Sequence, residues 1–70
     1  MNLNPEKLHN SKWTAANPKN KEKHFMVIQV YRDMQNRVTD VDLEAVLTKR
    51  VRKIPWRALK DEALWHPGWQ

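Results

Sequence analysis

Very little aliphatic bulk is available to this chain, and that shortage decides what it can become. Leucine, isoleucine, valine and phenylalanine together supply 15 of 70 residues, close to the ~20% line below which a strongly charged chain is expected to be disordered. Four tryptophans, Trp13, Trp56, Trp65 and Trp69, weigh on the other side. A buried aromatic ring removes roughly 150–250 Å² from water, so a few indoles replace several aliphatic side chains. The expectation is a single small domain that folds around tryptophan, with a core worth only about 3–5 kcal/mol. Seventy residues leave no room for a second core.

Several kinds of chemistry drop out on composition. Without cysteine there are no disulfides, thiol nucleophiles, thiolate zinc sites or iron–sulfur clusters. Gly68 is the one glycine, so no multi-glycine loop can cradle a phosphate. His9, His24 and His66 share no metal-ligand spacing. Ser11, His24 and Asp61 are the residue types of a hydrolytic triad but sit in no local motif. No metal, cofactor, small-molecule substrate or enzymatic activity is expected. The longest apolar run is Phe25-Met26-Val27-Ile28, far short of the ~20 residues that span a bilayer, and Met1 to Asn10 has no apolar signal core. With the missing cysteines, this favours the cytoplasm.

Along the chain, residues 1–10 read as a flexible N-terminal arm and 11–70 as one domain. Asn4-Pro5 and Asn17-Pro18 are turn signals, and a short strand near 11–16 centres on Trp13. Pro18 to Lys23 reads as a lysine-rich connection. His24 to Arg32 is the clearest strand, rich in β-branched and aromatic residues. Both of its parities are apolar (Phe25, Val27 and Tyr31 against Met26, Ile28 and Val30), which suggests a central strand covered on each side. Asp33 to Arg37 reads as a hairpin loop.

Residues 39–54 carry two periods at once. Val41, Leu43, Ala45, Leu47 and Val51 share strand parity, whereas Leu43, Val46, Leu47, Arg50, Val51 and Ile54 fall at helical spacing behind a Thr39 cap. Because strand 24–32 needs a partner, we expect a strand at 39–53, with a helix over 39–54 as the alternative. Pro55 ends that element, and 56–65 reads as short helical turns. The expected fold is therefore α+β: about three antiparallel strands with C-terminal helical turns packed on one face. The expected core is Trp13, Phe25, Val27, Leu43, Leu47, Trp56, Leu59 and Trp65.

Charge is uneven. The chain has 13 Lys and Arg against 8 Asp and Glu, and residues 45–60 contain six of the basic residues and no acid. Lys49, Arg50, Arg52, Lys53 and Arg57 make a basic block, and Lys19, Lys21 and Lys23 a second cluster. A basic patch reads as phosphate contact, salt-dependent and blind to sequence. An exposed indole adds a stacking surface for bases, and Trp69 is the candidate. The expected partner is RNA or single-stranded nucleic acid. The alternative is a protein-interaction or oligomerisation domain, since Trp and Arg are enriched at interface hot spots.

Ser11-Lys12-Trp13-Thr14-Ala15, Pro18 and Glu22-Lys23-His24-Phe25 resemble a bacterial family of small tryptophan-rich proteins of unknown function. Leu43-Glu44-Ala45-Val46-Leu47 with Lys49-Arg50 is similar to the same family, as are Trp56, Leu59, Asp61, Trp65 and Gly68-Trp69. The resemblance runs from about residue 8 to residue 70. It implies one compact domain, and no activity, cofactor, partner or site residue.

Overall fold

The structure, a computed structural model, describes residues 3–70. Five strands form one antiparallel sheet: β1 (Lys12–Lys19), β2 (Glu22–Arg32), β3 (Val38–Ala45), β4 (Val51–Pro55) and β5 (Trp65–Pro67). Their spatial order is β4-β3-β2-β1-β5. The first four strands are a meander, and the last crosses back to pair with β1. Among the described residues there is no α-helix, only 3-10 segments at Pro5–Lys7 and Trp56–Lys60. The α+β expectation is thus corrected to a nearly all-β fold.

The largest correction falls at residues 39–54, which are neither one strand nor a helix. The alternating stretch Val41, Leu43, Ala45 is buried and forms β3. The chain then turns back at 46–50, with Lys49 at φ 66°, and returns as β4. The helical spacing of Val46, Leu47 and Ile54 has no counterpart in packing, because burial on one sheet face requires a period of two and overrides it. Leu47, expected in the core, is 68% exposed on this turn.

The β1–β2 connection is shorter than the sequence suggests. Lys19 pairs with Glu22, so Pro18, Lys19, Glu22 and Lys23 belong to strands. Only Asn20 and Lys21 turn, at φ 56° and 61°, the positive values that a two-residue type I′ hairpin requires. At the β2–β3 loop, the Asp33 carboxylate accepts from the backbone N–H groups of Arg37 (2.9 Å) and Gln35 (2.8 Å) and from Arg37 Nε (3.1 Å). These bonds, the Arg37 backbone foremost, hold the Asp33 carboxyl below its ordinary range.

Strand β2 explains its own doubly apolar pattern. Val27 pairs with Leu43, but Gln29 pairs with Asp42, leaving Ile28 as an extra residue in the ladder. Such a bulge flips the side-chain alternation. Phe25 and Val27 face the core before it, and Val30, opposite Val41, packs against the core after it. Apolar residues at both parities therefore serve one core, rather than two covered faces.

That core lies on one side of the sheet, where the Trp56–Lys60 turn brings Trp56 and Leu59 against it. Trp13, Phe25, Val27, Leu43, Trp56, Leu59 and Trp65 are buried, joined by Val38, Val41, Ala45 and Leu8. Trp65 meets the edge of Phe25 at 5.2 Å between centroids. Trp13 Nε1–H donates to Ser11 Oγ (2.8 Å), which donates onward to the Leu8 carbonyl (2.6 Å). Leu8 belongs to the segment read as an arm, yet it is 1% exposed; residues 1 and 2 of that segment lie outside the described residues.

Candidate functional site

The two basic clusters meet in part, and the hairpin geometry is what brings them together. The β1–β2 hairpin carries Lys19 and Asn20 to one rim of a cleft of about 440 Å³, and the β3–β4 turn with β4 carries Arg50 and Arg52 to the other. Phe25 and Trp65 line its apolar side, and Asn17 supplies a further polar group. Arg52 pairs with Leu43 in the ladder, so it stands on the same face of the sheet as the core.

Glu22 organises this cleft. It is 7% exposed, accepts a hydrogen bond from Thr48 Oγ1, and lies 3.6 Å from Arg50 Nη1. A carboxylate so far from water requires such partners. The pair also anchors the turn that presents Arg50, and it neutralises one of the three rim cations. Lys19 and Arg52 have no ion-pair partner among the described residues.

The remaining basic residues go elsewhere. Lys21 and Lys23 border a separate shallow hollow with His24, Val46 and Leu47. Lys49 is exposed on the turn. Lys53 occupies the opposite face of the sheet, its Nζ 4.3 Å from the centre of the Tyr31 ring. Arg57 lies over the Trp56 ring at 5.4 Å, as does Lys60, which the sequence reading left out. Of the two basic clusters, only Lys19, Arg50 and Arg52 converge.

Trp69 is on the far side of the sheet from this cleft. Gly68, at φ 77°, donates its N–H to the Lys12 carbonyl (2.8 Å) and lets the chain leave β5 there. The Trp69 indole then donates to the Phe25 carbonyl (2.9 Å), with Lys12 Nζ 4.7 Å from its ring centre. It is 41% exposed but shares no surface with Arg50 or Arg52. Asn17, Asn20 and Glu22 are the polar cleft residues that sequence reading missed. Their only signal was the cross-strand pairing of Lys19 with Glu22, invisible until the turn is known to be two residues long.

On that far face Tyr31 OH donates to Asp42 Oδ2 (2.6 Å). This bond to a carboxylate, with some desolvation, raises the phenol above its ordinary value of 10.0. Tyr31 is the only tyrosine, so tyrosinate absorbance reads it alone. We expect its ionisation midpoint above the ordinary value in the native protein. Asp42→Ala should return it to the ordinary range, and a midpoint unchanged by that substitution would remove the bond.

Fold and cleft together define a small all-β module with a one-sided, tryptophan-rich core and a basic rim. The chain belongs to a family described as "Tryptophan-rich protein (DUF2389)", whose model matches residues 11–70. No match is found among curated proteins or solved structures. Among the described residues no helix is long and apolar enough to cross a membrane, and no cluster of His, Asp or Glu is arranged to hold a metal ion.

Proposed function

We propose that this domain is a cytoplasmic, non-enzymatic module that binds RNA or single-stranded DNA through phosphates seated in the cleft. The observation that carries the reading is the convergence of Lys19 with Arg50 and Arg52, some thirty residues apart in sequence, around one cleft. Guanidinium groups match phosphate oxygens in a bidentate fork, and Asn17 and Asn20 add neutral donors beside them. With Glu22 holding Arg50, the rim carries two uncompensated charges, enough for about two phosphates. Base stacking on Trp69 is no part of this reading, since that indole lies across the sheet.

The test is fluorescence anisotropy of a labelled single-stranded RNA of mixed sequence, titrated at several salt concentrations. Two phosphate contacts predict a slope of log affinity on log salt of about −1.4, at ~0.7 per phosphate on a single strand. Arg52→Ala and Lys19→Ala should each weaken binding about tenfold, the loss of roughly one charge-assisted contact. Trp69→Phe should leave affinity within about twofold, less than half of one such contact. An absence of binding at micromolar protein in about 50 mM salt, where phosphate contacts are strong, would overturn the proposal, as would an Arg52→Ala variant that binds like the wild type.

A further inference from the structure

The sheet ends in β4, which forms one ladder only, with β3. Its other edge is unpaired among the described residues. Which backbone groups it offers follows from register. Ala45 N–H donates to the Arg50 carbonyl (2.9 Å), so that facing pair is hydrogen-bonded. Bonded and non-bonded pairs alternate along an antiparallel ladder. Continuing this register, Leu43–Arg52 and Val41–Ile54 are bonded, and Glu44–Val51, Asp42–Lys53 and Asp40–Pro55 are not. The N–H and C=O groups of Val51 and Lys53 therefore point outward. Pro55, which has no N–H, falls on the same outward set, where an edge strand tolerates it.

The side chains along this edge select what can pair with it. Arg52 and Lys53 are exposed and neither has an ion-pair partner among the described residues. Arg50 and Lys49 continue the positive charge to the turn. Exposed Val51 (49%) supplies apolar surface at its start. A second copy of β4 would set these cations against one another, and like charges across a ladder are destabilising. Basic residues and proline on an edge are the usual protection against self-association. That protection leaves the edge open to a strand of opposite charge.

From the free edge and its charge we infer that β4 is a docking site for an extended acidic segment of another protein. The segment adds as a sixth strand, bonding to the backbone of Val51 and Lys53. Its carboxylates, at both parities, face Arg52 on one side of the sheet and Lys53 on the other, and an apolar residue packs beside Val51. Main-chain bonds supply affinity in this mode and side chains supply selection. The inference stands apart from nucleic-acid binding, which uses Lys19 and the cleft; the two surfaces meet only at the Arg50–Arg52 end of β4.

A capped heptapeptide of glutamate with one central valine, which presents carboxylates on both faces of an added strand, is a suitable probe, titrated into the ¹⁵N-labelled full chain. The expected result is that the Val51 and Lys53 amides shift first and become protected from exchange. Val51→Pro removes one outward N–H and should weaken the peptide about tenfold, the worth of one strong hydrogen bond, while leaving RNA affinity unchanged. Should that variant fail to fold, Lys53→Glu tests the charge term on an intact backbone, again with an expected loss of about tenfold. Lys19→Ala should weaken RNA and spare the peptide. The inference is overturned if millimolar peptide moves no β4 amide, if the same peptide with lysine in place of glutamate binds as well, or if the wild type dimerises through β4 without any peptide.

Discussion

Trp13→Ala should abolish cooperative unfolding near room temperature, or lower the melting temperature by at least ~15 °C, at about 4–8 °C per kcal/mol for a domain of this size. The Trp13 side chain is 2% exposed, and truncating a buried tryptophan costs about 3–5 kcal/mol. A 70-residue chain has only about 3.5–10.5 kcal/mol in total, at roughly 0.05–0.15 kcal/mol per residue. The indole N–H also holds Ser11 Oγ, which in turn holds the Leu8 carbonyl, so its loss loosens the chain on both sides of β1. Trp69→Phe is the contrast. That indole is 41% exposed and sits outside the core, and its loss should move the melting curve by only a few degrees, at most about 1 kcal/mol for the single bond to Phe25. Thermal melts by circular dichroism read both. If Trp13→Ala melts within a few degrees of the wild type, indole burial is not what holds the sheet together.

Much of the core was legible because its period is simple. Phe25, Val27 and Leu43 sit at alternating positions in apolar stretches, and the pleat buries one parity. Leu47 shows where that reasoning overreaches. Parity extends a strand indefinitely, but a strand stops where the chain must turn, and here the turn is fixed by Lys49 in the left-handed region. Lysine carries no signal for that conformation, as glycine or asparagine would. The bulge at Ile28 was illegible for a related reason. An extra residue leaves composition unchanged and alters only which parity faces inward. The apolar residues at both parities follow from this bulge, not from two covered faces.

The candidate site was legible as charge and illegible as geometry. Thirteen basic residues raise the expectation of an anionic partner, but their grouping depends on two hairpins. The two-residue turn at Asn20-Lys21 sets Lys19 beside Arg50 and Arg52, and it sends Lys21 and Lys23 to a different hollow. Alternation along β4 then parts Arg52 from Lys53, which lies over Tyr31 on the other face. The acidic residues of β3 stand across a hairpin from the basic block. Asp42 does pair with Lys53 in the ladder, yet the carboxylate that reaches the cleft is Glu22, from a segment counted as a lysine-rich loop.

Leu8→Ala should cost about 2–5 kcal/mol, the range for emptying a fully buried leucine site, although Leu8 precedes the part of the chain that the family model matches. Leu8 is 1% exposed and belongs to the core cluster. The residues just after it are tied to β2: Asn10 N–H donates to the Val27 carbonyl (2.8 Å), and Val27 N–H donates to the Ser11 carbonyl (2.9 Å). Upstream, Glu6 forms a two-pronged ion pair with Arg32, at 2.7 and 3.1 Å. Arg32 holds the Glu6 carboxyl below its ordinary range. Because the folded carboxyl is the stronger acid, the pair supports the fold above that range and stops doing so as pH falls through it. Both groups are solvated, and such pairs contribute little and are screened by salt. Glu6→Gln should therefore leave the melting temperature nearly unchanged in moderate salt. Deleting residues 1–10 should match or exceed Leu8→Ala. A truncated chain that melts like the full one would return this segment to the status of an arm.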